Sequence, residues 1–253
     1  MKIAFLSDIH SNLQALQAVF DDLNVQSIDK IICLGDVVGY GANPKECLAM
    51  LFSDKRAEVF LRGNHEHILS RYCRFWEKPP EGTMNKYAWK AIQYSYLNLP
   101  ADDVERLVQW PERLVCFEED LTLAHGAYSE NCVSHYVDDL AEASFEMDLA
   151  LTNICVFGHT HKPHVYVRHK KTFSSLSASE IELLPADKYL INVGSVGQPR
   201  DGDNRAAYGI LEITPQGNVY CLRRVKYDIL RAVESFAATN LPNFLANRLF
   251  IGE

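Results

Sequence analysis

The sequence predicts an α/β fold of two sheets with flanking helices. Short apolar runs alternate with helical spacing through the first third. The second half is dense in strand-like runs. A chain of 253 residues, 47% of them hydrophobic, can bury a large core without cross-links.

Residues 2–7 form an apolar run of strand length, and residues 13–23 place apolar side chains at helical spacing. Residues 30–34 read as a strand, 44–52 as a helix and 58–61 as a strand. This β-α-β-α-β order is the mark of a largely parallel sheet. Residues 64–74 read as a helix. Pro79-Pro80-Glu81-Gly82 then breaks the pattern, and residues 83–97 and 102–109 read as two helices. Together they suggest a small helical insert over about residues 72–110. Its aromatics, Trp76, Tyr87, Trp89, Tyr94 and Tyr96, read as packing. Strand-like runs follow at 113–117, 121–125, 154–157, 164–168, 171–175, 180–184 and 189–193, with a helix at 138–151. Residues 208–213 and 219–224 flank Pro215-Gln216-Gly217 as a hairpin, and helices at 227–239 and 242–250 close the chain. With no internal repeat or linker, a single domain over residues 1–253 is the simplest organisation.

The formal net charge is −8. That argues against binding duplex nucleic acid, which needs a cationic surface. Small phosphorylated substrates stay open, because bound cations reverse a local field. The seven cysteines form no C-x-x-C pair, and several lie in apolar runs. They read as buried thiols in a reducing, cytoplasmic compartment. The N-terminal run turns polar too early for a signal peptide, and no apolar stretch reaches the ~18 residues of a membrane helix. Nothing in the sequence identifies an oligomer.

Five strand ends carry Asp, Asn or His, nearly all beside glycine. They are Asp8-Ile9-His10, Gly35-Asp36, Gly63-Asn64-His65-Glu66, His125-Gly126 and Gly158-His159-Thr160-His161. Open α/β sheets place ligand sites at the carboxyl ends of their strands. Asp8 and His10, two apart in an extended chain, would point to one side, as would His159 and His161. Carboxylate, amide and imidazole groups suit first-row divalent metals. Singly, each motif has a plain structural use: Asp8 or Asn64 as a helix cap, Asp36 in a strand-to-loop turn. Five repeats of one event argue for a shared site. His65 cannot easily share the metal of Asn64 and is better placed to face a substrate.

In this order the motifs resemble the calcineurin-like metallophosphoesterase superfamily, and residues 192–201 resemble a segment of its compact bacterial and archaeal phosphodiesterases. The resemblance implies a four-layer α/β/β/α sandwich with two mixed sheets. It also implies one metal on Asp8, His10, Asp36 and His161, a second on Asp36, Asn64, His125 and His159, and His65 as the catalytic residue over the substrate. The expected cofactor is two divalent transition-metal ions, with Mn²⁺ favoured and Fe, Zn, Co or Ni open. The expected reaction is in-line attack at phosphorus by a hydroxide shared between metals about 3.5–4 Å apart. Asn12, His67, Tyr40, Arg200 and Arg205 are candidates for the substrate rim, the two arginines being solvated loop charges otherwise and His67 a support behind the site or the exposed face of a helix. His135, His164 and His169 read as structural or surface residues.

The run Leu61-Arg62-Gly63-Asn64-His65-Glu66 is also similar to that of serine/threonine protein phosphatases. Those enzymes follow Gly-Asp with a phosphate-gripping arginine, whereas here Gly35-Asp36 leads into Val37-Val38-Gly39-Tyr40. Small phosphodiesters or nucleotides, of cyclic nucleotide or dinucleoside polyphosphate type, are therefore the first expectation. Phosphomonoesters are the second. A non-catalytic scaffold would be expected to lose ligands, and all seven are present here.

Overall fold

The apolar run at residues 2–6 becomes a strand because it is buried on both faces. Ile3 and Phe5 point into one core, and Ala4 and Leu6 into another. The computed structural model describes residues 1–75, 78, 81, 84–130, 132–176 and 178–253. The expected alternation is present: β1 (Lys2–Leu6), α1 (Leu13–Val25), β2 (Lys30–Cys33), α2 (Pro44–Ser53), β3 (Ala57–Phe60) and α3 (Asn64–Arg71). α3 is shorter than the sequence suggests, because a 3-10 turn at Cys73–Phe75 follows it. α4 (Lys86–Asn98) and α5 (Ala101–Gln109) come next. Trp76, the prolines of the expected break, Gly82 and Thr83 lie outside the described residues.

The strand-rich half contains β4 (Arg113–Cys116), β5 (Leu121–Ala124), α6 (Leu140–Leu149), β6 (Ile154–Phe157), β7 (His164–His169) and β8 (Thr172–Leu176). It continues with β9 (Glu180–Leu183), β10 (Asp187–Asn192), β11 (Ala206–Thr214) and β12 (Gly217–Val225), and ends in α7 (Ile229–Glu234) and α8 (Asn243–Asn247). The two closing helices are shorter than expected, each running on into a 3-10 turn. The hairpin is as read: Thr214 pairs with Gly217 across Pro215 and Gln216.

The described strands form two mixed sheets of six, in the orders β3-β2-β1-β11-β12-β9 and β4-β5-β6-β10-β7-β8. β1, β2 and β3 are parallel, but β1 also pairs antiparallel with β11, two hundred residues away in sequence. The inner faces meet through Phe5, Ile32 and Leu34 on one side and Leu123, Val156 and Ile191 on the other. The outer face of the first sheet is covered by α1 and α2 through Leu16, Val19, Leu48 and Leu51. Ala143 and Met147 of α6 cover Cys155, Phe157 and Leu190 on the second. This is the four-layer α/β/β/α sandwich.

The insert packs into this scheme. Ile92, Val104, Leu107 and Trp110 join the outer core of the first sheet. Its aromatics pack as expected where they are described. Tyr87 stacks on Phe244 with centroids 4.9 Å apart, and Tyr94 donates its hydroxyl to the Ala42 carbonyl at 3.1 Å.

A polar tie joins α1 to β11 and β12. Asp22 accepts from the Tyr208 hydroxyl at 2.6 Å and from both Nε and a terminal nitrogen of Arg223. Burial alone would raise the Asp22 pKa. The hydrogen bonds from Arg223 and Tyr208 outweigh it and hold the carboxyl below its ordinary value. A group depressed in the folded state stabilises the fold above its unfolded pKa, near 4, and loses that contribution as pH falls through the folded value. Asp22→Asn should therefore be less stable than wild type at pH 6, with the gap closing as pH falls below about 4. Denaturant midpoints across pH 2–7 measure it; a gap independent of pH would remove the charge from this account.

Candidate active site

The five predicted strand ends converge on one pit. Asp8, His10, Asp36, His65, His125, His159 and His161 are each 3% exposed or less. The loops after β1 and β2 run side by side. Asp8 N donates to Gly35 O, His10 N to Asp36 O and Ser11 N to Val37 O, at 2.8–3.1 Å. These residues are not extended, as the sequence reading assumed. Asp8, His10, Asp36, His159 and His161 all have φ between +48° and +64°. That left-handed region is costly for side-chain-bearing residues and persists where surrounding structure enforces it. The i, i+2 pairs are gathered by a curled backbone rather than by strand alternation.

Close backbone approach explains two of the glycines. A Cβ on Gly63 would lie 2.1 Å from Asp36 Oδ1, and one on Gly158 would lie 2.0 Å from Ser7 Oγ and 2.6 Å from Asp8 Oδ2. Gly158→Ala should therefore cost about 1–3 kcal/mol, the range for overpacking a rigid interior. A guanidinium melt measures this, and an unchanged midpoint would contradict the close approach.

The imidazoles are oriented by backbone carbonyls. Since a carbonyl only accepts, the Nδ1–H of His10 donates to Val38 O (3.0 Å), that of His125 to Leu34 O (3.0 Å) and that of His161 to Gln198 O (2.6 Å). Each ring thus turns Nε2 inward. There, the Nε2 atoms lie close to one another and to the site's oxygens. His10 Nε2 is 3.1 Å from His161 Nε2, and His125 Nε2 is 3.1 Å from Asn64 Oδ1. Asp8 Oδ1 lies 3.1 Å from His161 Nε2, and Asp36 Oδ2 lies 3.3 Å from His125 Nε2 and 3.7 Å from His10 Nε2. His159 Nε2 is buried without a hydrogen-bond partner.

The electrostatics agree. Burial opposes ionising Asp8 and Asp36, but His161 beside Asp8 and His125 beside Asp36 overcome it, and both carboxyls stay below their ordinary range. Burial likewise disfavours charge on His125, yet Asp36, Asp8 and Glu66 lift it to about 9. Burial, with the charge on His125, drives His159 down to about 3. Burial also takes His65 down to about 4 and His10 well below its usual value. Two ionised carboxylates in a buried pit, with the Nε2 atoms of His10, His125 and His161 turned inward, are a cation site by chemistry once a metal displaces the proton on His125. Three sets could hold a metal, each with ligand atoms within 4.8 Å of one another: Asp8, His10 and His161; Asp36, His125 and His159; and His10, Asp36 and His65.

Residues 1–216 match the calcineurin-like phosphoesterase superfamily domain. The chain belongs to that superfamily. It is 35% identical over 261 residues to an uncharacterised protein of Methanocaldococcus jannaschii, covering 99% of this chain and 98% of that one. The crystal structure of a metallophosphoesterase from Sphaerobacter thermophilus is similar, with TM-score 0.83 and 29% identity, covering 100% of this chain and 99% of that one. A hypothetical protein from Pyrococcus horikoshii OT3 shares the fold, with TM-score 0.80 at 16% identity over 100% and 98% of the two chains. This calcineurin-like protein is accordingly a metal-dependent phosphoric ester hydrolase.

The predicted rim residues divide in this phosphoesterase. Tyr40 packs edge-on against His10 (4.5 Å) and His65 (4.7 Å), with the Arg200 guanidinium 5.6 Å from its ring centroid. Asn12 caps α1, accepting from Ala15 N at 3.1 Å, and donates its amide to Gly197 O at 2.8 Å. Arg205 commits its guanidinium to Asp203. His67 bonds Glu112, and His169 bonds Asp187. Asn64, weighed as a helix cap, is the first helical residue instead; Gly63 is the N-cap.

Four residues beside the site were given no role by the sequence reading. Glu66, buried, accepts from the N–H groups of Asp36, Val38 and Gly63 and so fixes two site loops at once. Asn192 donates to Gly158 O, and Ser195 donates to Asp8 O. Tyr136 stacks on His159 with centroids 4.0 Å apart. Of these, Glu66 carried a signal: it is the N3 acid that reaches back to the N-cap of a helix.

Proposed function

We propose that the protein hydrolyses small phosphodiesters or nucleotides at a dinuclear centre, with Mn²⁺ its working metal. One observation carries this reading. Two of the candidate ligand sets, Asp8/His10/His161 and Asp36/His125/His159, lie side by side, with Asp36 Oδ2 reaching towards both histidine groups. Asp8, His10, Asp36 and His161 would hold one ion, and Asp36, Asn64, His125 and His159 the other. When bound, the two ions supply Lewis-acid chemistry, acidifying water and offsetting charge on the phosphoryl oxygens.

The chain's own residues do the rest. The Val38, Leu34 and Gln198 carbonyls accept from Nδ1–H of His10, His125 and His161 and so point each Nε2 into the site before any ligand arrives. Asp36 Oδ1 accepts the backbone N–H of His65 at 2.9 Å, so the shared carboxylate also sets the position of the proposed catalytic ring. His65 would donate a hydrogen bond from its neutral ring to the leaving or an equatorial oxygen. The cysteines are free thiols, which supports a cytoplasmic setting. No described helix is long and apolar enough to cross a membrane.

The test is a panel assayed after metal stripping and Mn²⁺ reloading: a bis-aryl phosphodiester, an aryl phosphomonoester, cyclic nucleotides and a dinucleoside tetraphosphate. Mn²⁺-dependent turnover of diesters or nucleotides, with about two ions bound per chain, is expected. Preference for the monoester would move the substrate class. One ion per chain at full activity would defeat the dinuclear reading.

A further inference from the structure

The arginines around the site differ in how their charge is met. Arg205 is bound by Asp203, Arg223 by Asp22 and Arg224 by Asp201. Arg200 has no ion pair among the described residues. It donates to the Gln198 side-chain oxygen at 3.0 Å, and its Nε is buried without an acceptor. A guanidinium in this state is poised for an anion that satisfies its fork of donors. The Arg200 backbone N–H donates to His161 O at 3.2 Å, which ties the residue to a ligand loop. Its guanidinium lies 5.6 Å from the Tyr40 ring centroid, and the His161 loop that holds its backbone also carries His159, the ring under Tyr136. Arg248 lies beside Arg200: burial, then that like charge, lowers the Arg248 pKa.

Tyr136 supplies a different surface. Its ring covers His159 at 4.0 Å and an interplanar angle of 30°, while the residue stays 46% exposed. A large aromatic left this open beside a buried histidine is a platform on which a planar group can stack. The mouth therefore offers a flat ring and, near it, a cation with no carboxylate partner among the described residues. A nucleotide presents a base and phosphoryl oxygens in the same pairing.

We propose that Tyr136 and Arg200 form a nucleotide-binding rim: the base stacks on Tyr136, and Arg200 takes phosphoryl oxygens that are not attacked. This rests on the proposed function for the place of the reacting phosphorus, and it narrows the substrate class to nucleotides. The test is calorimetric titration of AMP and of inorganic phosphate into Mn²⁺-loaded protein. Wild type should bind AMP more tightly than phosphate. Tyr136→Ala should weaken AMP about tenfold or more, the scale of one stacking contact, and leave phosphate within about twofold. Tyr136→Phe should keep AMP affinity, since the face and not the hydroxyl does the binding. Arg200→Ala should weaken both ligands about tenfold, with Arg200→Lys intermediate. Equal affinity of wild type for the two ligands, or an equal loss of both in Tyr136→Ala, would overturn the rim. Binding is read whether or not wild type hydrolyses any ester, so failure of the proposed activity shows separately.

Discussion

His65→Gln will lower kcat by about 10²–10³-fold, the usual contribution of a positioned transition-state hydrogen-bond donor, and leave the metal content unchanged. The expectation follows from where the ring is held. His65 is the second residue of α3, after Asn64, and its backbone N–H is fixed by Asp36 Oδ1, a contact glutamine keeps. Its ring lies edge-on to His10 at 4.5 Å and to Tyr40 at 4.7 Å, and Gly39 gives it room: a Cβ there would fall 1.9 Å from His65 Nδ1. Its Nε2 stands 3.9 Å from Asp36 Oδ2, farther than the 3.3 Å of His125 and the 3.7 Å of His10. The donor role therefore rests on the ring's place beside Tyr40 and His10, and the metal content of the variant tests it. Elemental analysis with steady-state kinetics decides it. A fall in kcat at constant metal assigns the donor role. Loss of metal would make His65 a ligand in the set it shares with His10 and Asp36. Wild-type kcat would remove it from the chemistry.

The candidate ligands were legible in the sequence because their chemistry is local. An apolar strand that ends in Asp, Asn or His beside glycine announces a strand-end site, and all five such ends meet in one pit. How they meet was not legible. The left-handed backbone at Asp8, His10, Asp36, His159 and His161 is imposed by partners far along the chain, such as Gly35 O for Asp8 N and Asp8 Oδ2 for His159 N. A sequence read by local propensity supplies an extended chain instead. The mixed character of the first sheet is hidden for the same reason: β11 pairs with β1 across two hundred residues, and no local pattern encodes that choice. Tyr136 sits in a segment without regular structure, so no periodicity marks it. The insert held another surprise. Ser95 of α4 accepts the Gly39 N–H at 3.0 Å, and Tyr94 holds Ala42 O, so this helix steadies the loop that brings Tyr40 to the site. Aromatics read as packing alone thus border a functional loop.

Asp36→Asn will lose metal and turnover together, with activity falling at least about 10³-fold, because here the charge matters more than the shape. Asparagine preserves the volume and an oxygen for the His65 N–H, so the fold of the loop survives. What it removes is the inward oxygen that stands 3.3 Å from His125 Nε2 and 3.7 Å from His10 Nε2. In the proposed centre that oxygen serves both ions, so neutralising it weakens two sites at once. The readout besides activity is thermal. A ligand bound only by the folded state stabilises it by RT ln(1 + [L]/Kd), about 2.7 kcal/mol at a hundredfold excess over Kd. Mn²⁺ should therefore raise the Tm of the wild type by several degrees and that of Asp36→Asn much less. Asp8→Asn, which alters one proposed ion, should fall between them in both metal content and Tm shift. Equal losses in the two variants would mean that Asp36 is not shared. A full Mn²⁺ shift in Asp36→Asn would place the metals elsewhere in the pit.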